Sequence, residues 1–143
     1  MHERTLSPSL TLENVMNITE IQSTLQTYFD VMYECDMEKF DLVFHPSCSL
    51  FTAGGAEVVV KPFEQYRLEM STRISPKSRA QTRDKERIIK IDFLSDEMAL
   101  AQVRVQIHDK LFVDNLNLVK VGSEWMVVAK IYCLMGLVSQ RQN

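Results

Sequence analysis

One aspartate stands inside an apolar, strand-like run: Leu111-Phe112-Val113-Asp114-Asn115-Leu116-Asn117-Leu118. Alternate side chains of an extended chain share a side, so Asp114 projects with Phe112, Leu116 and Leu118. A carboxyl group on an apolar face is costly unless it is paired, hydrogen-bonded or neutral. Such a residue lines a pocket or marks a solvated face, and its apolar companions favour the pocket. There it could donate or accept a hydrogen bond to a ligand, or serve as an acid or base.

Tyr28 is the second candidate, on the apolar stripe of a helical segment, where a tyrosine is either core or a ligand contact. Met32, Phe51, Tyr66 and Trp125 could line the same cavity, or simply pack. Lys130 depends on hairpin register. A two-residue turn at Gly122-Ser123 places Ile131 beside Asp114, whereas a bulge would bring Lys130 there as a buried ion pair. His45, before Pro46, is expected to cap the preceding helix. His108 is expected in a surface hairpin, and His2 in an N-terminal arm. These histidines have no metal-ligand spacing, and the sequence has no phosphate loop or nucleophile elbow. No metal or cofactor is expected.

At 143 residues the chain is long enough for one domain with a sizeable core. A net charge of −3 gives no general attraction to nucleic acid or acidic membranes. Basic residues gather between Arg73 and Lys90, but acidic residues interrupt them and no aromatic interleaves. A solvated face is expected there, not a nucleic-acid site. Cys35, Cys48 and Cys133 form no CxxC, which predicts reduced thiols in a cytoplasmic protein, with Cys133 a small buried hydrophobe. No signal-like or membrane-spanning apolar stretch is present in the sequence.

These residues need elements to position them. Residues 1–16 read as a polar arm and 17–143 as a single domain. Apolar positions at Ile21, Leu25, Tyr28, Phe29, Met32 and Tyr33 predict a helix from about Ile18, with Thr19 and Gln22 as its capping box. A shorter helix begins at Asp36 and ends at Pro46. Short strands follow at 47–53 and 57–60 around Gly54-Gly55, then a helix from Pro62 to Pro76. Residues 82–94, 97–108, 111–121 and 124–135 read as long strands. Ile89, Ile91 and Phe93 share one side of the first, and Ala99 to Ile107 alternate along the second. The order ααββαββββ predicts an α+β domain, a cone-shaped curved antiparallel sheet wrapped around N-terminal helices. Such a cone can hold a cavity.

The segments Tyr28–Glu38, Phe44-His45-Pro46, Phe112-Val113-Asp114 and Gly122-x-x-Trp125-x-Val127-x-x-Lys130 carry a resemblance. They resemble the nuclear transport factor 2-like superfamily, also called SnoaL-like or cystatin-like, and most of all the branch named "putative lumazine-binding". The resemblance spans roughly residues 18–135. It implies the cone fold and dimerisation through the sheet. A more distant similarity is to ketosteroid isomerase, whose oxyanion hole combines a tyrosine with a protonated aspartic acid; that enzyme is itself a standard example of pKa tuning. The resemblance places Tyr28 and Asp114 at those two positions and Thr52 at the position of the base. A threonine hydroxyl cannot act as that base near neutral pH.

The sequence therefore predicts a binder of an unidentified small molecule, anchored by Asp114 and Tyr28 in a partly apolar cavity. The alternatives are an isomerase, cyclase or dehydratase using Asp114 as acid or base, and a dimeric interaction module without ligand. A homodimer through the exposed sheet face is expected, without nucleic-acid or membrane partners.

Overall fold

A computed structural model describes residues 11–139. His2 and most of the expected N-terminal arm lie outside these residues. The first helix, α1 (Leu12–Glu34), starts one and a half turns earlier than its apolar stripe suggests. Thr11 caps it by accepting the Asn14 N–H, while Thr19 lies within the helix and bonds back to the Val15 carbonyl. Ile21, Leu25, Tyr28, Phe29 and Met32 are buried along one face, as their spacing predicts. Cys35 ends the helix in a left-handed conformation (φ 55°), with its N–H donated to the Val31 carbonyl.

Asp36 caps α2 (Met37–Val43) through the Lys39 N–H. This helix ends before Phe44, not at Pro46, because the chain turns directly into strand β1 (Phe44–Gly54). The Gly55-Ala56 turn leads to β2 (Glu57–Pro62), and Pro62 then precedes α3 (Phe63–Thr72). Tyr66 and Met70 are buried on α3, but Ile74 lies past its end and is exposed. Pro76 opens a 3-10 turn, Pro76–Arg79. The remaining strands are β3 (Arg87–Ser95), β4 (Met98–Ile107), β5 (Lys110–Val121) and β6 (Glu124–Leu137).

The six strands form one curved, unclosed sheet in the order β2-β1-β6-β5-β4-β3. It is antiparallel except where β1 runs parallel to β6, so the sheet is mixed, not purely antiparallel. Parallel pairing is sterically possible because β2, α3 and three further strands separate β1 from β6. Ala99, Ala101, Val103 and Val105 face the helices from β4. On β3 a register shift at Ile89 interrupts the alternation. Ile88 and Ile91 pack against the core instead, and Ile89 is exposed.

Two further shifts lie in the β5–β6 ladder, at Val128 and at Met135. Gly122 (φ 64°) makes the two-residue turn that pairs Val121 with Glu124. Beyond Val128 the register moves by one, so Leu116 pairs with Lys130 and Asp114 with Tyr132. The bulge turns Lys130 and Tyr132 toward the helices and Ile131 and Cys133 outward. Cys133 is therefore exposed, contrary to the expectation of a buried hydrophobe.

Candidate functional site

Strand β5 delivers Asp114 to the inner face of the sheet, where it is 1% exposed. Helix α1 delivers Tyr28, whose hydroxyl donates to Asp114 Oδ2 at 2.5 Å. Lys130 Nζ lies 3.5 Å from the same oxygen, and the lysine is 5% exposed. It also donates to the Tyr66 hydroxyl at 3.2 Å, and Tyr66 in turn points its hydroxyl at Met32 Sδ. The ammonium lies 5.2 Å from the ring centroids of Tyr28 and Tyr66 and 6.0 Å from that of Tyr132. Three aromatic faces and a carboxylate thus replace the water this cation has lost.

Aromatic packing holds the network in place. Tyr28 packs on Phe44 with centroids 5.8 Å apart, and Phe44 meets Tyr66 edge-on at 5.5 Å. Phe40 stacks behind Phe44 at 4.5 Å. Each such contact contributes about 0.5–1.5 kcal/mol beyond its buried area.

The electrostatics follow from these contacts. Burial first, and then the Asp114 charge, hold the Tyr28 phenol well above its ordinary value of 10.0. Burial is the largest influence and opposes the Lys130 charge, but Asp114 and the Tyr66 hydroxyl together outweigh it, and the group stays above its ordinary 10.5. Tyr28 is therefore a neutral donor and Lys130 a fixed cation at neutral pH. A protonated amine is a poor nucleophile, so the arrangement does not suit Schiff-base chemistry.

A recess of about 250 Å3 opens beside this network. Met32, Tyr66 and Asp114 line it, together with Lys130 and Tyr132. Leu50, Val105, Ile107 and Phe112 provide apolar wall, and Lys61 and Arg73 complete the lining. Asp114 Oδ1 is buried and has no hydrogen-bond partner among the described residues.

The other sequence candidates lie elsewhere. Tyr28 sits behind Asp114, fully buried, with its hydroxyl committed to the carboxylate. Thr52 donates to the Tyr132 carbonyl at 2.7 Å, which makes it a strand tie. Phe51 pairs with the outward-facing Ile131, because Leu50 takes the inward position of β1. Trp125 pairs with Lys120 at the far end of β5, packed edge-on against Phe93. His45 caps no helix; its Nδ1 accepts from the Ser47 N–H. His108 occupies the β4–β5 hairpin turn, as expected. Among the described residues no group of His, Cys, Asp and Glu could hold a metal ion.

The sequence reading left Lys130 open between two registers and missed Tyr132, Arg73, Lys61 and the apolar wall. Lys130 and Tyr132 face inward only because of the Val128 bulge, which no local pattern announces. Arg73 belongs by sequence to the basic segment read as solvated, but it follows the last turn of α3 and reaches the recess.

Comparison with known proteins agrees with this fold. The family described as "putative lumazine-binding" matches residues 16–133. A nuclear transport factor 2-like protein of unknown function from Silicibacter pomeroyi superposes with a TM-score of 0.72 at 17% identity, covering 84% of this chain and 97% of that one. A second, from Shewanella baltica, gives 0.70 at 22% identity, over 88% and 98% of the two chains. A ketosteroid isomerase-like protein from Erwinia carotovora atroseptica gives 0.57 at 9% identity, over 84% and 97%. At such identities these likenesses establish the fold alone. No functionally curated protein matches the chain. With the family match spanning most of its length, the chain belongs to the "putative lumazine-binding" family, and its fold is that of the nuclear transport factor 2-like, or cystatin-like, proteins.

Proposed function

We propose that this protein binds a small, partly apolar molecule in the recess beside Asp114. The unpartnered Asp114 Oδ1 carries the reading. A buried carboxylate oxygen without a donor is costly, and a ligand hydroxyl or N–H in the recess would satisfy it. Tyr28 and Lys130 then act as positioning residues that hold the carboxylate in place. A volume of about 250 Å3 suits a metabolite-sized ligand, just below the ~300–1,000 Å3 common for drug-sized sites.

Binding is favoured over isomerase, cyclase or dehydratase chemistry. A proton shuttle needs a second group that changes its protonation near neutral pH. The two titratable groups nearest Asp114 hold their protons well past it, and Thr52 is tied to a carbonyl.

The functional unit in this reading is a homodimer. Val60, Phe51 and Ile131 form an apolar row across β2, β1 and β6 on the face away from the helices, and Ile131 is 50% exposed. Among the described residues no helix is long and apolar enough to cross a membrane. Three free cysteines suit the reducing cytoplasm, which we propose as the location.

Crystals of protein purified directly from cells test the binding reading. Density in the recess within hydrogen-bond distance of Asp114 Oδ1 is expected, either from co-purified ligand or after fragment soaking. A recess closed by its own side chains, with fragments bound only elsewhere, would overturn it.

A further inference from the structure

Three cationic side chains line the recess, Lys61, Arg73 and Lys130, against one carboxylate, Asp114. Lys61 pairs with Glu69 at 2.7 Å, and Lys130 with Asp114 at 3.5 Å. Among the described residues Arg73 has no ion-pair partner; its backbone N–H goes to the Met70 carbonyl, and its side chain is only partly exposed. The recess therefore carries one unopposed positive charge, on a guanidinium.

A guanidinium presents a planar fork of donors that matches a carboxylate in two parallel hydrogen bonds. The buried Asp114 Oδ1 asks for the opposite, a donor. Val105, Ile107 and Phe112 offer apolar surface in the same lining. An amine would be repelled by Arg73, and a hydrocarbon would leave both polar groups unanswered.

We propose that the recess takes a small monocarboxylic acid that also bears a hydroxyl or N–H donor and has a short apolar body. The carboxylate sits on Arg73, the donor bonds Asp114 Oδ1, and the body lies against Val105, Ile107 and Phe112. This assignment rests on the small-molecule reading above and adds the ligand's charge to it.

The test uses four probes of one shape and follows backbone amide resonances of β4 and β5 by NMR titration. They are meta-hydroxybenzoate, the neutral meta-hydroxybenzamide, the cationic meta-(aminomethyl)phenol, and benzoate, which lacks the donor. The hydroxy acid is expected to bind about tenfold or more tightly than the amide, as a charge-assisted pair implies. Benzoate is expected to bind severalfold more weakly than the hydroxy acid. Arg73→Gln should abolish the preference for acid over amide, and Arg73→Lys should restore part of it. The comparison of acid with amide needs no variant, so a folding defect at Arg73 leaves it intact. Amide or amine binding in the recess as tightly as the acid overturns the assignment of charge but leaves the small-molecule reading standing. If no probe moves the recess resonances, both fall.

Discussion

Asp114 and Lys130 meet across the β5–β6 ladder without being register partners. The carboxylate and ammonium lie 3.5 Å apart, although Lys130 pairs with Leu116 and Asp114 with Tyr132. Both are buried, and each offsets the desolvation of the other. Lys130→Met leaves a buried carboxylate without its cation and should cost about 3–5 kcal/mol in urea unfolding. The double variant Asp114→Leu with Lys130→Met should recover most of that loss, because an apolar pair in the same volume carries no desolvation penalty. Equal stability of the single variant and the parent protein would contradict a coupled pair.

Alkaline pH should destabilise the fold in a defined direction. Lys130 and Tyr28 both hold their protons above their ordinary values of 10.5 and 10.0. The unfolded chain releases these protons first, so above pH 10 it binds fewer than the folded chain. The contribution of both groups is complete below the unfolded values and is lost as pH rises through the folded ones. The urea midpoint should therefore begin to fall near pH 10, and Lys130→Met should flatten the decline. A midpoint that climbs as pH passes 10 would show that folding does not raise these two values.

Tyr28→Phe removes a hydrogen bond to a buried carboxylate oxygen and changes almost nothing else in shape. Hydrogen bonds to charged groups contribute about 1.5–3 kcal/mol, and a loss of that size is expected in thermal or urea unfolding. If Tyr28 acts by positioning Asp114, its removal should also weaken a recess ligand without moving where that ligand sits. Chemical-shift mapping distinguishes the two effects.

Thiol labelling reports on the sheet's outer face. Cys133 is exposed, whereas Cys48 is buried and its thiol is pushed up to about 11, by burial first and against the opposing charge of Lys130. Cys133 should react with an aromatic disulfide reagent well before Cys48. In a homodimer built on Val60, Phe51 and Ile131, Cys133 labelling should slow as protein concentration rises. Ile131→Glu should abolish that protection and give a monomer by sedimentation. Labelling of Cys133 that is independent of concentration would argue against this face as the interface.

Periodicity made much of the fold legible. The α1 stripe, the Asp36 cap and the inward row of β4 follow from spacing and capping chemistry, which act within a few residues. The parallel β1–β6 pairing was hidden, because it depends on which distant strands meet. At the site, Asp114 announced itself as a charge on an apolar face, and Met32 and Tyr66 as parts of apolar stripes. Phe51 and Trp125 have equally apolar settings but face other parts of the molecule, because hydrophobicity marks burial and not the wall a residue belongs to. Arg73 was concealed among neighbouring basic residues, and its place depends on where α3 ends.

The extra residue at Val128 has a consequence for how such a pocket can change. Were β6 to pair with β5 in the turn's own register, with Val128 back in the ladder, Ile131 would lie opposite Asp114 and Lys130 would point to water; deleting Val128 instead leaves Leu116 opposite Lys130 and keeps the cation inside. A one-residue slip of β6, with no change of sequence, thus exchanges a cation for a hydrocarbon beside Asp114. The bulge in β6 is therefore a short route between charge-reading and oil-reading pockets on an otherwise constant scaffold.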